Sequence, residues 1–185
     1  MKFTKLAMVS LFAASVVPFG AMADNTGKIT FTGTVVESPC NIDNKSIDQT
    51  VKFGQLSRKG LESGQVAETT FNIEFTGCDF TKFGGVDANN APVAVKNMNL
   101  TFTGQNYSDV AGKKYLVTST GNTNNLGITI EGFEFDKAKD VLSQITNNVG
   151  DNTLTFKALA QKMASADPVA EGEFSAISNF RITYE

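Results

Sequence analysis

Histidine is absent from all 185 residues of the chain. The commonest general base is therefore missing, and so is the usual nitrogen ligand for zinc or copper. A serine nucleophile activated by histidine is impossible, and no serine sits in a Gly-x-Ser-x-Gly setting. Carboxylates do stand in pairs: Asp136 with Asp140, Glu131 with Glu134, Glu171 with Glu173. Such pairs cleave glycosides when they flank a sugar. Here they lie in turn-like or solvent-facing contexts with no aromatic platform, so they read as solvated surface charge. Asp87 to Asn90 offers oxygen ligands, but it lacks the spacing and closing Glu of a calcium loop, and turn formation is the better reading. These residues predict no enzyme, no catalytic residue, no cofactor and no metal site.

The remaining reactive residues are Cys40 and Cys78, the only two cysteines. Their state depends on compartment, and the first residues bear on that. Lys2 and Lys5 supply a positive start, Leu6 through Val17 form a short apolar run, and Ala21-Met22-Ala23 supplies small residues before a cut. This is the pattern of a secretory signal, with cleavage between Ala23 and Asp24. A membrane anchor is the other reading, but the run is shorter than the ~20 residues that cross a bilayer. Export places an even number of cysteines in an oxidising setting, where a disulfide is the default. Closing a loop of about 40 residues stabilises a fold by about 4 kcal/mol in the chain-entropy model. Two free thiols or a metal pair are the alternatives, and with no histidine the metal pair is the weaker of them.

The elements that carry these cysteines read as β. Phe71, Ile73 and Phe75 alternate with polar residues and lead into Cys78. Met98, Leu100 and Phe102 repeat the pattern, as do Ile128 and Ile130, followed at a bulge by Phe133 and Phe135. Leu154, Phe156 and Ala158 follow, then Phe180, Ile182 and Tyr184. Near the start, Lys28 to Val36 places Ile29, Phe31, Gly33 and Val35 on one face. Period-two alternation of this kind marks half-buried strands. Gly84-Gly85, Asp87 to Pro92, Thr120 to Asn125 and Asn147 to Asn152 read as surface turns. Asp136 to Ile145 reads as a short helix with Val141, Leu142 and Ile145 on one face, or as a loop with partly buried apolar residues. The sum is an all-β sandwich. The 15 Phe and absent Trp suit core packing better than sugar stacking. A net charge of -3 gives no basic excess for nucleic acid.

Three stretches carry a resemblance. They are Lys28-Ile-Thr-Phe-Thr-Gly-Thr-Val-Val-Glu-Ser-Pro-Cys40, the partner cysteine within Phe75-Thr-Gly-Cys78, and the ending Ala176-x-x-x-Phe180-x-x-x-Tyr184-Glu185. Leu126-Gly-Ile-Thr-Ile130 and Asn152-Thr-Leu-Thr-Phe156 add to them. In this order the chain resembles the fimbrial subunits (pilins) of the chaperone–usher route in Gram-negative bacteria, most of all a major type 1 or P-pilus-type rod subunit. The resemblance implies an incomplete immunoglobulin-like sandwich lacking its last strand. It also implies three segments: a signal peptide over 1–23, an N-terminal donor-strand extension over 24–36 and a pilin domain over 37–185. The function implied is that of a structural subunit of a fimbria that supports cell adhesion.

The partners implied are other copies of the chain and other fimbrial subunits, a periplasmic chaperone and an outer-membrane usher, with export to the cell surface. A chaperone strand fills the groove first, and the extension of the next subunit replaces it. By this resemblance Ile29, Phe31, Gly33 and Val35 form the donor strand, with Gly33 at a shallow site. Phe180, Ile182, Tyr184 and Glu185 become groove or chaperone contacts, although core packing serves Phe180 and Ile182 equally well. The residues alone leave open a closed domain in which 28–36 is an ordinary first strand and Gly33 a bulge. Other expectations to weigh are a minor adaptor or terminator subunit and a single-domain carbohydrate-binding adhesin.

Overall fold

The computed structural model describes residues 27–117, 120–121, 125–164 and 167–185, with backbone only at Thr120 and Gly121. The expected signal segment, its cut between Ala23 and Asp24, and residues 25–26 lie outside the described residues. The chain divides into two units, Met1–Val35 and Val36–Glu185. In the first, residues 27–35 form no helix or strand and are exposed throughout.

The second unit is built from antiparallel strands. In chain order they are β1 (Asn41–Ile42), β2 (Ala67–Asp79), β3 (Met98–Gly104), β4 (Tyr107–Val110), β5 (Lys113–Val117) and β6 (Thr120–Gly121). Then come β7 (Leu126–Ile130), β8 (Lys139–Asp140), β9 (Val149–Lys162), β10 (Phe174–Ser175) and β11 (Ser178–Tyr184). Two short helices, α1 (Asn44–Ile47) and α2 (Arg58–Glu62), lie between β1 and β2. One sheet has the order β1-β2-β9-β7-β5-β4, a second β11-β3-β8, and β10 pairs with β6.

The alternating residues meet where the two larger sheets face each other. Ile73 and Phe75 of β2, Leu154 and Phe156 of β9, and Ile130 of β7 are buried with Met98, Leu100 and Phe102 of β3. Burial of each such side chain contributes about 1.5–3 kcal/mol. Four phenylalanines lock one region edge to face: Phe102 lies 5.1 Å from Phe133 and 5.5 Å from Phe156, and Phe71 lies 6.1 Å from Phe102. Strand β7 is buried on both faces. A Cβ at its Gly127 would stand 2.6 Å from Tyr115 Cδ1 and 2.8 Å from Met163 Cγ, so the residue must stay small.

Three regions settle or depart from the sequence reading. Asp136 to Ile145 takes the loop reading with a buried apolar residue, and not the helix. It holds β8 and a 3-10 turn at Leu142–Gln144. The Asp140 carboxylate accepts from the Met98 and Leu142 amides, and the Val141 amide donates to the Met98 carbonyl. These bonds use groups a helix would need, while Val141 enters the core. The stretch Asn147 to Asn152 is only partly a turn, because β9 already begins at Val149. Asn152 is buried there and its side-chain oxygen accepts from the Thr146 and Asn147 amides. Phe133 and Phe135 lie beyond the end of β7, past a turn with Gly132 at φ 74°.

Candidate functional site

The second sheet has an uncovered side. Strand β11 pairs with β3 so that Phe180 faces Phe102, Ile182 faces Leu100 and Tyr184 faces Met98. Residues paired in this way point to the same face. The three on β3 are at most 3% exposed, yet their partners on β11 are only half-buried. The far edge of β11 has no strand beside it among the described residues. Its outer N–H and C=O groups form a template for a further strand.

The chain from Ser38 to Phe53 approaches this edge from the other side. Strand β1 pairs with β2 through Asn41↔Thr76 and Ile42↔Phe75. After α1 the chain continues beside β2, held by side chains instead of a backbone ladder. Gln49 Nε2 donates to the Asn72 carbonyl over 3.0 Å, and Thr69 Oγ1 donates to the Lys52 carbonyl over 3.2 Å. Phe53 and Leu56 pack half-buried against the core.

The two borders meet at both ends. At one end the Phe53 ring lies 6.2 Å from Phe174, just before β11. At the other, Tyr184 packs 6.3 Å from Phe80 and 6.2 Å from Phe83, with the Ser38 hydroxyl, which donates to the Cys40 carbonyl, close by. Burial pushes the Tyr184 phenol upward, and the nearby Ser38 hydroxyl opposes that. Between the ends lie Phe180 and Ile182 with their half-covered faces. This half-covered apolar strip, with a strand edge that is free among the described residues, is called the groove below.

The disulfide stands beside the Tyr184 end. Cys40 and Cys78 are bonded, with Cα atoms 4.1 Å apart. The bridge fastens the start of β1 to the end of β2, and the Asp79 amide donates to the Pro39 carbonyl alongside it. Glu185 is tied to the 96–97 segment: its carbonyl accepts from the Lys96 and Asn97 amides at 2.5 and 3.1 Å.

The other residues singled out by sequence go elsewhere. Ile29, Phe31 and Val35 are 78%, 88% and 101% exposed, and a Cβ at Gly33 would meet nothing within 4 Å. The paired carboxylates separate into structural contacts. Asp136 pairs with Lys114 and Glu134 with Lys137, while Glu131 meets Lys157 and Glu171 meets Arg58. Phe53, Leu56 and Phe174 were not singled out as groove residues. Their segments lack alternation, so only tertiary contact assigns them.

Comparison with known proteins gives the groove its context. A fimbrial protein family model matches residues 29–185. The F7-2 fimbrial protein of Escherichia coli is 36% identical, over 98% of this chain and 99% of that protein. The Pap fimbrial major pilin protein of Escherichia coli is 35% identical, again over 98% and 99%. Among solved structures, a subunit from the structure of a chaperone–usher pilus that addresses rod uncoiling superposes with TM-score 0.65 at 35% identity. That match covers 93% of this chain and all of the other. The fold is thus the incomplete sandwich of pilins, and relatives that include a major pilin do not favour an adaptor, terminator or adhesin. This chain belongs to the fimbrial protein family and is a structural subunit of a chaperone–usher fimbria at the cell surface, polymerising with other subunits.

Proposed function

We propose that the Lys28–Val36 segment of one copy fills the groove beside β11 of the next. The observation that carries this reading is the mismatch across β3 and β11, where Met98, Leu100 and Phe102 are covered and Phe180, Ile182 and Tyr184 are half-open. A strand laid along the far edge of β11 would complete the cover. The segment suits that task in three ways. Its exposed Ile29, Phe31 and Val35 alternate, and each would contribute about 1.5–3 kcal/mol on burial before ordering costs. Extended at about 3.3 Å per residue it spans roughly 30 Å, against roughly 23 Å for β11. Gly33 allows close backbone approach where a side chain would collide.

Before assembly the same groove takes a strand from a periplasmic chaperone, with Phe180, Ile182, Tyr184 and Glu185 among the contacts. Exchange follows at an outer-membrane usher, after export and cleavage between Ala23 and Asp24. This is β-strand addition, in which main-chain bonds give affinity and alternate side chains give specificity.

The test removes Asp24–Val36 and supplies it separately. The shortened chain, purified with its chaperone, is expected to stay monomeric. It should take up a synthetic peptide of residues 24–38, with a rise in thermal midpoint. A shortened chain that misfolds without the arm, or a folded one that ignores the peptide, favours a closed domain instead.

A further inference from the structure

One carboxylate joins α2 to β9 and to the segment that precedes β10 and β11. Glu62 ends α2, which begins shortly after Phe53 at the end of the Ser38–Phe53 border. Its Oε2 lies 2.5 Å from Lys162 Nζ at the end of β9, and its Oε1 accepts from the Val169 amide over 2.6 Å. Val169 is 2% exposed and belongs to the strap 167–173 that feeds β10 and β11. The Lys162 hydrogen bond and then the Val169 amide hold the Glu62 carboxyl below its ordinary range. Arg58, one turn earlier on α2, pairs with Glu171 of the same strap at 3.1 Å. Immediately beyond the strap, Phe174 meets Phe53 across the groove.

This geometry bears on strand entry. Neighbouring strands lie about 4.7–4.9 Å apart, so a strand placed between two borders holds them at roughly twice that spacing. At the Phe53–Phe174 end the two ring centroids stand 6.2 Å apart, closer than a strand between the borders allows. A strand entering there has to part them, and parting them pulls the strap from α2. We propose that Glu62 is a latch: by pinning strap 167–173 to α2 and β9, it sets how readily this end of the groove opens, and so the rate of strand uptake. Glu62 and Lys162 act as positioning residues, since neither lines the groove. The inference rests on the groove reading of the previous section.

The experiment measures uptake of a fluorescent peptide of residues 24–38 by the purified full chain, with thermal midpoints recorded in parallel. Glu62→Gln and Lys162→Met are expected to accelerate uptake at least threefold. Lys162→Arg, which keeps the charge, is expected to restore the wild-type rate. Lys114→Met, which breaks an ion pair outside the latch, should leave the rate unchanged. Unaltered or slower uptake in Lys162→Met overturns the latch, and that variant decides the matter if Glu62→Gln does not fold. Equal acceleration in Lys162→Arg assigns the effect to packing and also overturns it. Failure of the wild-type chain to take up any peptide removes the groove reading, and the latch with it.

Discussion

Asp136 shows how a single residue ties separate elements. Its backbone is left-handed, with φ 66°, a conformation that short polar side chains tolerate best. Its carboxylate accepts from the Tyr107 hydroxyl over 3.0 Å and from Lys114 Nζ over 2.9 Å, and Lys114 stands 4.9 Å over the Tyr107 ring. The Lys114 bond holds the Asp136 carboxyl below its ordinary range, the Tyr107 bond adds to this, and partial burial opposes it. The folded pKa is therefore lower than the unfolded one. The contact stabilises the fold above the ordinary carboxylate range and loses that contribution as pH falls through the depressed folded value. Asp136→Asn keeps the left-handed backbone and removes the charge. Its thermal midpoint should lie below wild type near pH 7, and the gap should shrink as pH drops into the acid range. A gap that stays constant from pH 7 to pH 2 would count against the charge as its source.

At the scale of elements, alternation was the readable signal and it worked where a strand has one buried face. Strands β2, β3, β9 and β11 all carry the expected rows, because each sheet face needs apolar residues at every second position. The β4–β5 hairpin was not singled out. Tyr107–Val110 and Lys113–Val117 are mixed in polarity, and their connection uses Ala111 at φ 52° before Gly112 at φ 76°, which no turn dipeptide announces. Sequence left helix and loop open over Asp136–Ile145 for a related reason, since Val141 reaches the core through bonds made by the Asp140 side chain, which periodicity does not register. Cysteine pairing was legible because only two were present. The bridge closes the β1–β2 connection at the Tyr184 end of the groove. Replacing both, Cys40→Ser with Cys78→Ser, should lower stability by about 4 kcal/mol if the chain-entropy account holds. Urea unfolding of the purified subunit checks this, and an unchanged midpoint would mean the bridge contributes no stability.

For the molecule as a whole, the proposed function makes the half-covered side of β11 and the exposed alternating segment complementary halves of one polymer contact. Gly33 is the narrowest test of that complementarity. On that proposal Gly33→Lys places a long charged side chain where a neighbour's backbone approaches, while in the single subunit nothing lies within 4 Å of the added Cβ. The variant should therefore fold and keep its thermal midpoint yet fail to form rods, as seen by electron microscopy of the secreted product. Rods at normal yield would remove the Lys28–Val36 segment from the contact.

The amino-acid sequence alone pointed to a β-rich chain, offered a single cysteine pair for a disulfide, and excluded histidine chemistry. It also marked Lys28–Val36 and Phe180–Tyr184 as alternating strands, because alternation is local and period two survives without any neighbour. It did not distinguish a strand that pairs within its own chain from one that pairs elsewhere. That distinction belongs to tertiary structure. Only the packed sheets reveal that Phe180, Ile182 and Tyr184 are half-covered while their partners on β3 are sealed, and that Phe53, Phe174 and Glu62 gather at the groove's end. Burial depends on which surfaces remain after every other element has packed, and that is a property of the whole fold.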